Sequence, residues 1–340
     1  MKILIDAFGG DHSPEEVIAG TVSAMEENKN FTAVFVGKKD VIENLLGGYA
    51  FDKSRVEIIH APDVITCEEE PTVAIRRKPE SSICVAFKEL KENPEASAFV
   101  SAGSTGAVLV GATLKLGRIS GISRPALCPL MPTAIDGKNV IMMDSGANAD
   151  CKSINLLQFA LMGTAYAEAV GVKNPKVGLL SNGTEKEKGN ALNHEVYPML
   201  ENAKGINFVG NIEGRDILAG DVDIVVTDGF SGNVAVKSIE GAIKMLLKVM
   251  KTEIKSTFKG KIGGLLLKST FKKLAKKLDY NNHGGALFVG VNKPVIKAHG
   301  SSKRAAIKAA VLQAVAYANF DIADRIKEKL SLQEQGGEQV

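Results

Sequence analysis

The stretch ASAFVSAGSTG at residues 96–106 sets the pattern of the whole chain: a short apolar run, a turn of small residues, then a segment of helical periodicity. Ala96 to Val100 lacks polar alternation, as a strand covered on both faces would, and Ser101, Gly103, Ser104, Thr105 and Gly106 form the turn that leaves it. The unit recurs in both directions. Upstream, Ile3 to Ile5 leads into Asp6, Gly9, Gly10, Asp11 and His12, and Phe31 to Val36 ends at Gly37. Downstream, Val140 to Met143 runs into Asp144-Ser-Gly-Ala-Asn148, and Val177 to Leu180 into Ser181, Asn182, Gly183 and Thr184. Ile206 to Val209 precedes Gly210, Ile224 to Val226 precedes Thr227-Asp228-Gly-Phe-Ser-Gly232-Asn233, and Val295-Ile296 precedes Lys297-Ala-His299-Gly-Ser-Ser302. This alternation predicts an α/β fold, three-layer and doubly wound, with a mostly parallel sheet. The strand carboxyl ends then share one edge, where ligands meet helix N-termini and open amides. Ser13, Pro14 and Glu16 fit an N-cap, N1 and capping-box glutamate for the first helix.

Of 340 residues, 45% are hydrophobic and 24% charged, the balance of a globular chain that buries a large core. Lys and Arg number 42 against 39 Asp and Glu, and the resulting +3 gives no global attraction to nucleic acid. Glycine is abundant at 34, Trp is absent and aromatics make up 5%, which disfavours stacking platforms and favours recognition by main-chain donors. The four cysteines include no C-x-x-C pair and no histidine at zinc spacing, so reduced thiols and no metal site are expected. The apolar run in MKILIDAFGG is too short for a signal peptide, and no uncharged apolar stretch reaches about 18 residues. A cytoplasmic protein is expected. No repeat or Pro/Ser-rich linker divides the chain, so 1–330 reads as a single domain and the polar 331–340 as a disordered tail.

Residues 248–279 differ from the rest, with ten lysines against Glu253 and Asp279. Leu267, Phe271, Leu274 and Leu278 recur on one helical face, and Met250, Ile254, Phe258 and Ile262 on another. Two basic amphipathic helices broken at Gly263-Gly264 are predicted. Such a hairpin suits an anionic membrane surface or a packed helix pair.

The chain contains no G-x-x-x-x-G-K-[ST], no G-x-G-x-x-G after its first strand and no G-x-S-x-G elbow, which argues against P-loop, dinucleotide and serine-hydrolase chemistry. Several turns of Gly, Ser, Thr and Asn at one sheet edge suit a compact anion instead. Lys188 sits in the polar turn after Leu180, and His12 ends the first glycine turn, where either could reach a ligand. His60, His194 and His283 read as structural or surface residues.

The ordered segments GGDH (9–12), SAGSTGA (101–107), RPAL (124–127), DSGAN (144–148), GTE and KGN (183–190), TDGFSGN (227–233) and IKAHGSS (296–302) resemble the bacterial phosphate acyltransferases of the PlsX family over residues 1–330. The resemblance implies a fold similar to isocitrate and isopropylmalate dehydrogenases and phosphotransacetylase. It also implies a cytosolic homodimer at the membrane surface that transfers a fatty acyl group from acyl carrier protein to inorganic phosphate. A glycerol-3-phosphate acyltransferase would consume the product. By motif it places Lys188, Asn233 and His12 in the active site. It adds Gly10, Ser101, Gly103, Ser104, Thr105, Gly106, Asp144, Asn148, Gly183, Thr184, Asp228 and Gly232 as substrate-binding positions. The sequence departs from the family pattern at Ser104 and at Ser181-Asn182, where backbone donation is expected in place of side-chain contacts.

Phosphate attacking a thioester needs no enzyme nucleophile, cofactor or metal, because the thiol is a good leaving group and phosphate is largely dianionic near neutrality. Lys188 is expected to orient phosphate, Asn233 and loop amides to donate to phosphate or the oxyanion, and His12 to bond the reacting group or protonate the thiolate. Leu267, Phe271, Leu274 and Leu278 would touch the membrane, and Arg76-Arg77-Lys78 would dock the acidic carrier protein. The competing readings are a coenzyme A-dependent phosphotransacetylase-like enzyme and a non-catalytic lipid-surface scaffold.

Overall fold

Apolar runs without polar alternation become the inner strands of two sheets. The computed structural model describes residues 1–278 and 284–337, without the side chains of Ala275, Lys276, Leu278 and residues 334–337. The Leu278 side chain, expected as a membrane contact, and His283 therefore lie outside what is described. The strands are β1 (Lys2–Asp6), β2 (Thr32–Gly37), β3 (Val56–His60), β4 (Ala96–Ser101), β5 (Ala126–Cys128), β6 (Leu130–Pro132) and β7 (Asn139–Met143). They continue with β8 (Lys176–Ser181), β9 (Asn207–Glu213), β10 (Ile224–Val226), β11 (Ala286–Val289) and β12 (Val295–Lys297). The first sheet has the order β3-β2-β1-β4-β12-β11-β5 and the second β6-β7-β10-β8-β9. Among the described strands, the antiparallel pairs are β11 with β12, β11 with β5, and β6 with β7; the other pairs are parallel. The expected α/β class holds, with the strands divided between two sheets joined where β5 turns through Pro129 into β6.

Helices cover both faces, which is why the strands carry continuous apolar runs. The helices are α1 (Glu15–Glu27), α2 (Lys39–Leu46), α3 (Pro71–Arg77), α4 (Ser82–Glu92), α5 (Thr105–Gly111), α6 (Ser153–Ala169) and α7 (Ala191–Glu201). They are followed by α8 (Gly229–Ser256), α9 (Phe258–Leu266), α10 (Lys268–Leu278), α11 (Arg304–Tyr317) and α12 (Ile322–Gly337). One buried cluster runs from Ile3 and Ile5 in the first sheet to Ile141, Val177 and Ile224 in the second, so the sheets share a core. Val236 and Ile239 of α8 pack on Met142 and Val225, across the second sheet from α6.

Three local expectations change. Ser13 does not cap α1: its hydroxyl donates to Gly10 O at 2.7 Å, and the Glu16 carboxylate accepts from Arg304 N at the start of α11. The open amides of a neighbouring helix N-terminus offer that carboxylate a better site than its own first turn. Among the described residues of 248–279 there is no two-helix hairpin broken at Gly263-Gly264, which lie inside α9. Met250 and Ile254 belong to α8, Thr257 starts α9 by accepting from Gly260 N at 3.0 Å, and Leu267 divides α9 from α10. A Cβ on Gly264 would lie 2.5 Å from Ile254 Cγ2, so this glycine lets α9 close on α8. Finally, residues 331–337 continue α12 as a helix, held where Gln333 Oε1 accepts from Lys204 N at 3.3 Å and Nε2 donates to Lys204 O.

Candidate active site

The parallel strands deliver their exit turns to a cleft of about 340 Å³ between the two sheets. Its lining includes Thr105 after β4, Ser145 and Gly146 after β7, Asn233 in α8 after β10, Lys297 at the end of β12, and His299 and Gly300 beyond it. Leu127 and Pro129 close the side where the sheets join.

Besides the Ser145 amide and hydroxyl, which both donate to Leu127 O, one carboxylate reinforces the join. Asp144 is buried, and Oδ1 accepts from the amides of Leu127 at 2.9 Å, Gly146 at 3.3 Å and Ala147 at 3.1 Å. Oδ2 accepts from the Asn148 amide at 2.7 Å and from Asn148 Nδ2 at 3.0 Å. Burial raises the Asp144 pKa above the usual carboxylate value, and these donors act in the opposite direction. Asp144 thereby stitches the edge of the first sheet to a tight loop of the second. Asn148 continues the stitch, its Nδ2 donating to Pro125 O at 2.7 Å and its carbonyl accepting from Gly229 N at 2.8 Å. Both residues shape the site and have no carboxylate or amide donor left over for a ligand.

The same loop seats the first turn of α8. Asp228 caps that helix, accepting from Ser231 N and Ser231 Oγ, both at 2.8 Å. A Cβ at Gly232 would stand 1.9 Å from Asp144 O, so any side chain here is excluded by backbone. Gly146, at φ +131°, would place a Cβ 2.7 Å from Asn233 Nδ2. These two glycines bring the Asn233 amide against the open loop, facing the cleft.

On the opposite wall, Ser101 Oγ donates to Asp6 Oδ2 at 2.7 Å and accepts from Gly103 N at 3.0 Å, fixing the turn after β4. Ser104 Oγ accepts from Ala107 N at 3.4 Å as the N-cap of α5, and Pro71 covers Gly106. Opposite Ser101 in the sheet register stands Lys297, 7% exposed, whose Nζ donates to Ala102 O at 3.3 Å and to Ala298 O. Burial pulls its pKa down to about 8, against the opposing pull of Cys67, Asp6 and Asp11. Burial likewise raises the Asp6 pKa.

The structure thus gathers Thr105 and Asn233 on the cleft, and sets Ser101, Gly103, Ser104, Gly106, Asp144, Asn148, Asp228 and Gly232 behind it as its frame. Gly10 touches the rim, packed on Gly300 O and Ala102. His12 is exposed, and neither it nor Lys188 is among the cleft's lining residues. Lys188, also exposed, packs on Gly183 in the turn after β8, next to the exposed Thr184. Four charged or titratable lining residues, Lys237, Glu240, Lys297 and His299, are not among the site residues expected from the sequence. The signal for Lys297 and His299 was a lysine and a histidine ending a buried strand inside the IKAHGSS segment.

A family model described as "Fatty acid synthesis protein" matches residues 1–325. The phosphate acyltransferase of Clostridium tetani is 47% identical over 333 residues, covering 97% of this chain and 98% of that one. Among solved structures, a phosphotransacetylase from Streptococcus pyogenes superposes with a TM-score of 0.61 at 18% identity, covering 96% of this chain and 94% of that one. A 4-hydroxythreonine-4-phosphate dehydrogenase from Klebsiella pneumoniae gives a TM-score of 0.54 at 13% identity, covering 94% and 99%. The structural likenesses agree in fold, and the full-length sequence match goes further: the chain belongs to the phosphate acyltransferase family of enzymes.

Proposed function

We propose that this enzyme transfers a long-chain acyl group from acyl carrier protein to inorganic phosphate, by direct attack of phosphate on the thioester. The observation that carries the reading is the cleft itself, where Asn233, the Gly146 loop and the buried Lys297 face one another across the join of two sheets. A small dianion there meets a cation and amide donors in a partly desolvated space, where each is worth more than in water. The leaving thiol, with an unperturbed pKa of about 8.5, departs without an enzyme nucleophile.

In this reading Lys297 provides the fixed positive charge beneath the phosphate, and Asn233 donates to phosphate or to the developing oxyanion. Lys188, in the turn that follows β8, the neighbour of β10, is assigned the capture of the incoming anion. Arg76 and Arg77 are exposed at the end of α3 and suit an acidic carrier protein. Lys78 does not, because its Nζ is held by Val64 O at 2.9 Å and Glu69 at 2.7 Å. Among the described residues no helix is long and apolar enough to cross a membrane. A peripheral contact fits α9 better than the α10 face: Phe258, Leu265 and Leu266 are 79%, 72% and 77% exposed among lysines, whereas Phe271 is half-buried.

The test measures thiol release from palmitoyl acyl carrier protein with and without phosphate, with the acyl phosphate trapped by hydroxylamine. Release that requires phosphate is expected. Phosphate-independent release, or a preference for acetyl-coenzyme A over the carrier-bound chain, refutes the proposed reaction or its donor.

A further inference from the structure

We infer that His299 is an oxyanion-hole donor: its neutral imidazole donates from Nε2–H to the thioester carbonyl oxygen as that oxygen gains charge. The identity of the acceptor rests on the acyl-transfer reading above; the donor rests on local geometry. His299 lines the cleft together with Asn233, Gly146 and Thr105. The Ser301 amide donates to its Nδ1 at 3.2 Å, and the Ser301 hydroxyl lies 2.8 Å from the same nitrogen. A main-chain hydrogen is fixed by the peptide plane, so Nδ1 presents a lone pair and the ring's proton sits on Nε2. The turn that carries the ring is pinned on three sides. Ala298 N donates to Ser101 O at 2.9 Å, Ser302 N to His299 O at 3.0 Å, and Asp11 N to Gly300 O at 2.8 Å.

The proton balance of the reaction gives this imidazole a donor's part and leaves no acid's part for it. An oxygen of HPO4 dianion forms the C–O bond while the carbonyl π pair moves onto oxygen. Return of that pair expels the thiolate with the C–S electrons. The proton that phosphate brought remains on the acyl phosphate and passes through water to the thiolate, downhill from a pKa of about 6 to one of about 8.5. Thiol and acyl phosphate dianion result, and the protein ends with every proton it began with. Stabilising the transient oxyanion is the task that remains, and a neutral histidine N–H performs it without being consumed.

The test compares His299→Gln, which keeps an N–H near the Nε2 position, with His299→Phe, which keeps ring volume and lacks a donor. In the Phe variant kcat falls about 10² to 10³-fold, and Gln recovers at least about tenfold of it. KM for phosphate changes by less than about threefold in both, since the contact forms in the transition state. A Phe variant with near-normal kcat, or a Gln variant no better than Phe, overturns the inference. Nitrogen-15 NMR of histidine-labelled enzyme reads the tautomer independently of any activity: an unprotonated Nδ1 is expected, and a protonated one also overturns it. An inactive wild type refutes the acyl-transfer reading and removes the carbonyl assigned to this ring. An active wild type with indifferent substitutions sinks this inference alone.

Discussion

Gly232→Ala tests the seating of α8 on the Asp144 loop. The added Cβ would begin 1.9 Å from Asp144 O, and real Cβ contacts do not fall below 3.0 Å, so the helix start must retreat by at least about 1.1 Å. The carbonyl cannot yield instead. Its own residue's amide donates to Thr227 O at 3.1 Å, and its carboxylate holds four amides and the Asn148 side chain. Overpacking of this kind costs about 1 to 3 kcal/mol, and the retreat carries Asn233 with it. A misplacement of about 1 Å lowers turnover roughly 10²-fold. Gly241→Ala is the internal control: it lies in the same helix with no atom within 4 Å, and helix propensity alone should stabilise it by about 1 kcal/mol. Urea midpoints and kcat at saturating phosphate are measured for both. If Gly232→Ala keeps turnover within about twofold of wild type, the claim that this backbone contact positions Asn233 is wrong.

Lys297→Met should change the pH dependence of stability. The unfolded chain holds this proton to the ordinary 10.5 and the folded chain only to about 8, so between these values the unfolded state binds more protons and wild-type stability rises with pH. Relative to the Met variant, the gain across pH 8 to 10.5 should approach ~3 kcal/mol in chemical denaturation, and parallel curves would show that the ammonium is not buried. Asn233→Ala should lower kcat about 10² to 10³-fold with the melting temperature unchanged, and a drop below about tenfold would remove it from the reacting centre. Lys188→Ala should raise KM for phosphate more than it lowers kcat, as a capture residue does; an unchanged KM would exclude that role. Changing Phe258, Leu265 and Leu266 together to Glu should abolish flotation with anionic vesicles, and retained flotation would move the membrane contact elsewhere.

The α/β class was legible because inner strands such as β1 and β4 are apolar on both faces, a pattern that needs no knowledge of partners. The division into two sheets was not. It depends on β5 and β6, three residues each around Pro129, too short to show a period. Asn233 and Thr105 could be found because each follows a strand and starts a helix. Lys188 and His12 satisfy the same rule, yet neither lines the cleft, since sequence reports that a turn leaves the shared edge and not how far across the sheet it does so. Asp144 and Asp228 illustrate a related limit: a carboxylate in a glycine turn looks free until the amides it holds are seen. Lys297 was obscured by its neighbours, because a lysine ending an apolar run reads as the first solvated residue and here stays buried.

The unbroken length of α8 has an electrical consequence. Asn233 and Ser256 are 23 rises apart along one helix, roughly 35 Å. If the distal helices rest on a lipid leaflet with α8 along the normal, the reaction takes place some four screening lengths from the surface, taking about 8 Å for each. An anionic leaflet at about −30 mV depletes a dianion roughly tenfold at contact. In that arrangement a stalk of this height would let the enzyme touch lipid while its co-substrate arrived at the concentration of the open solution.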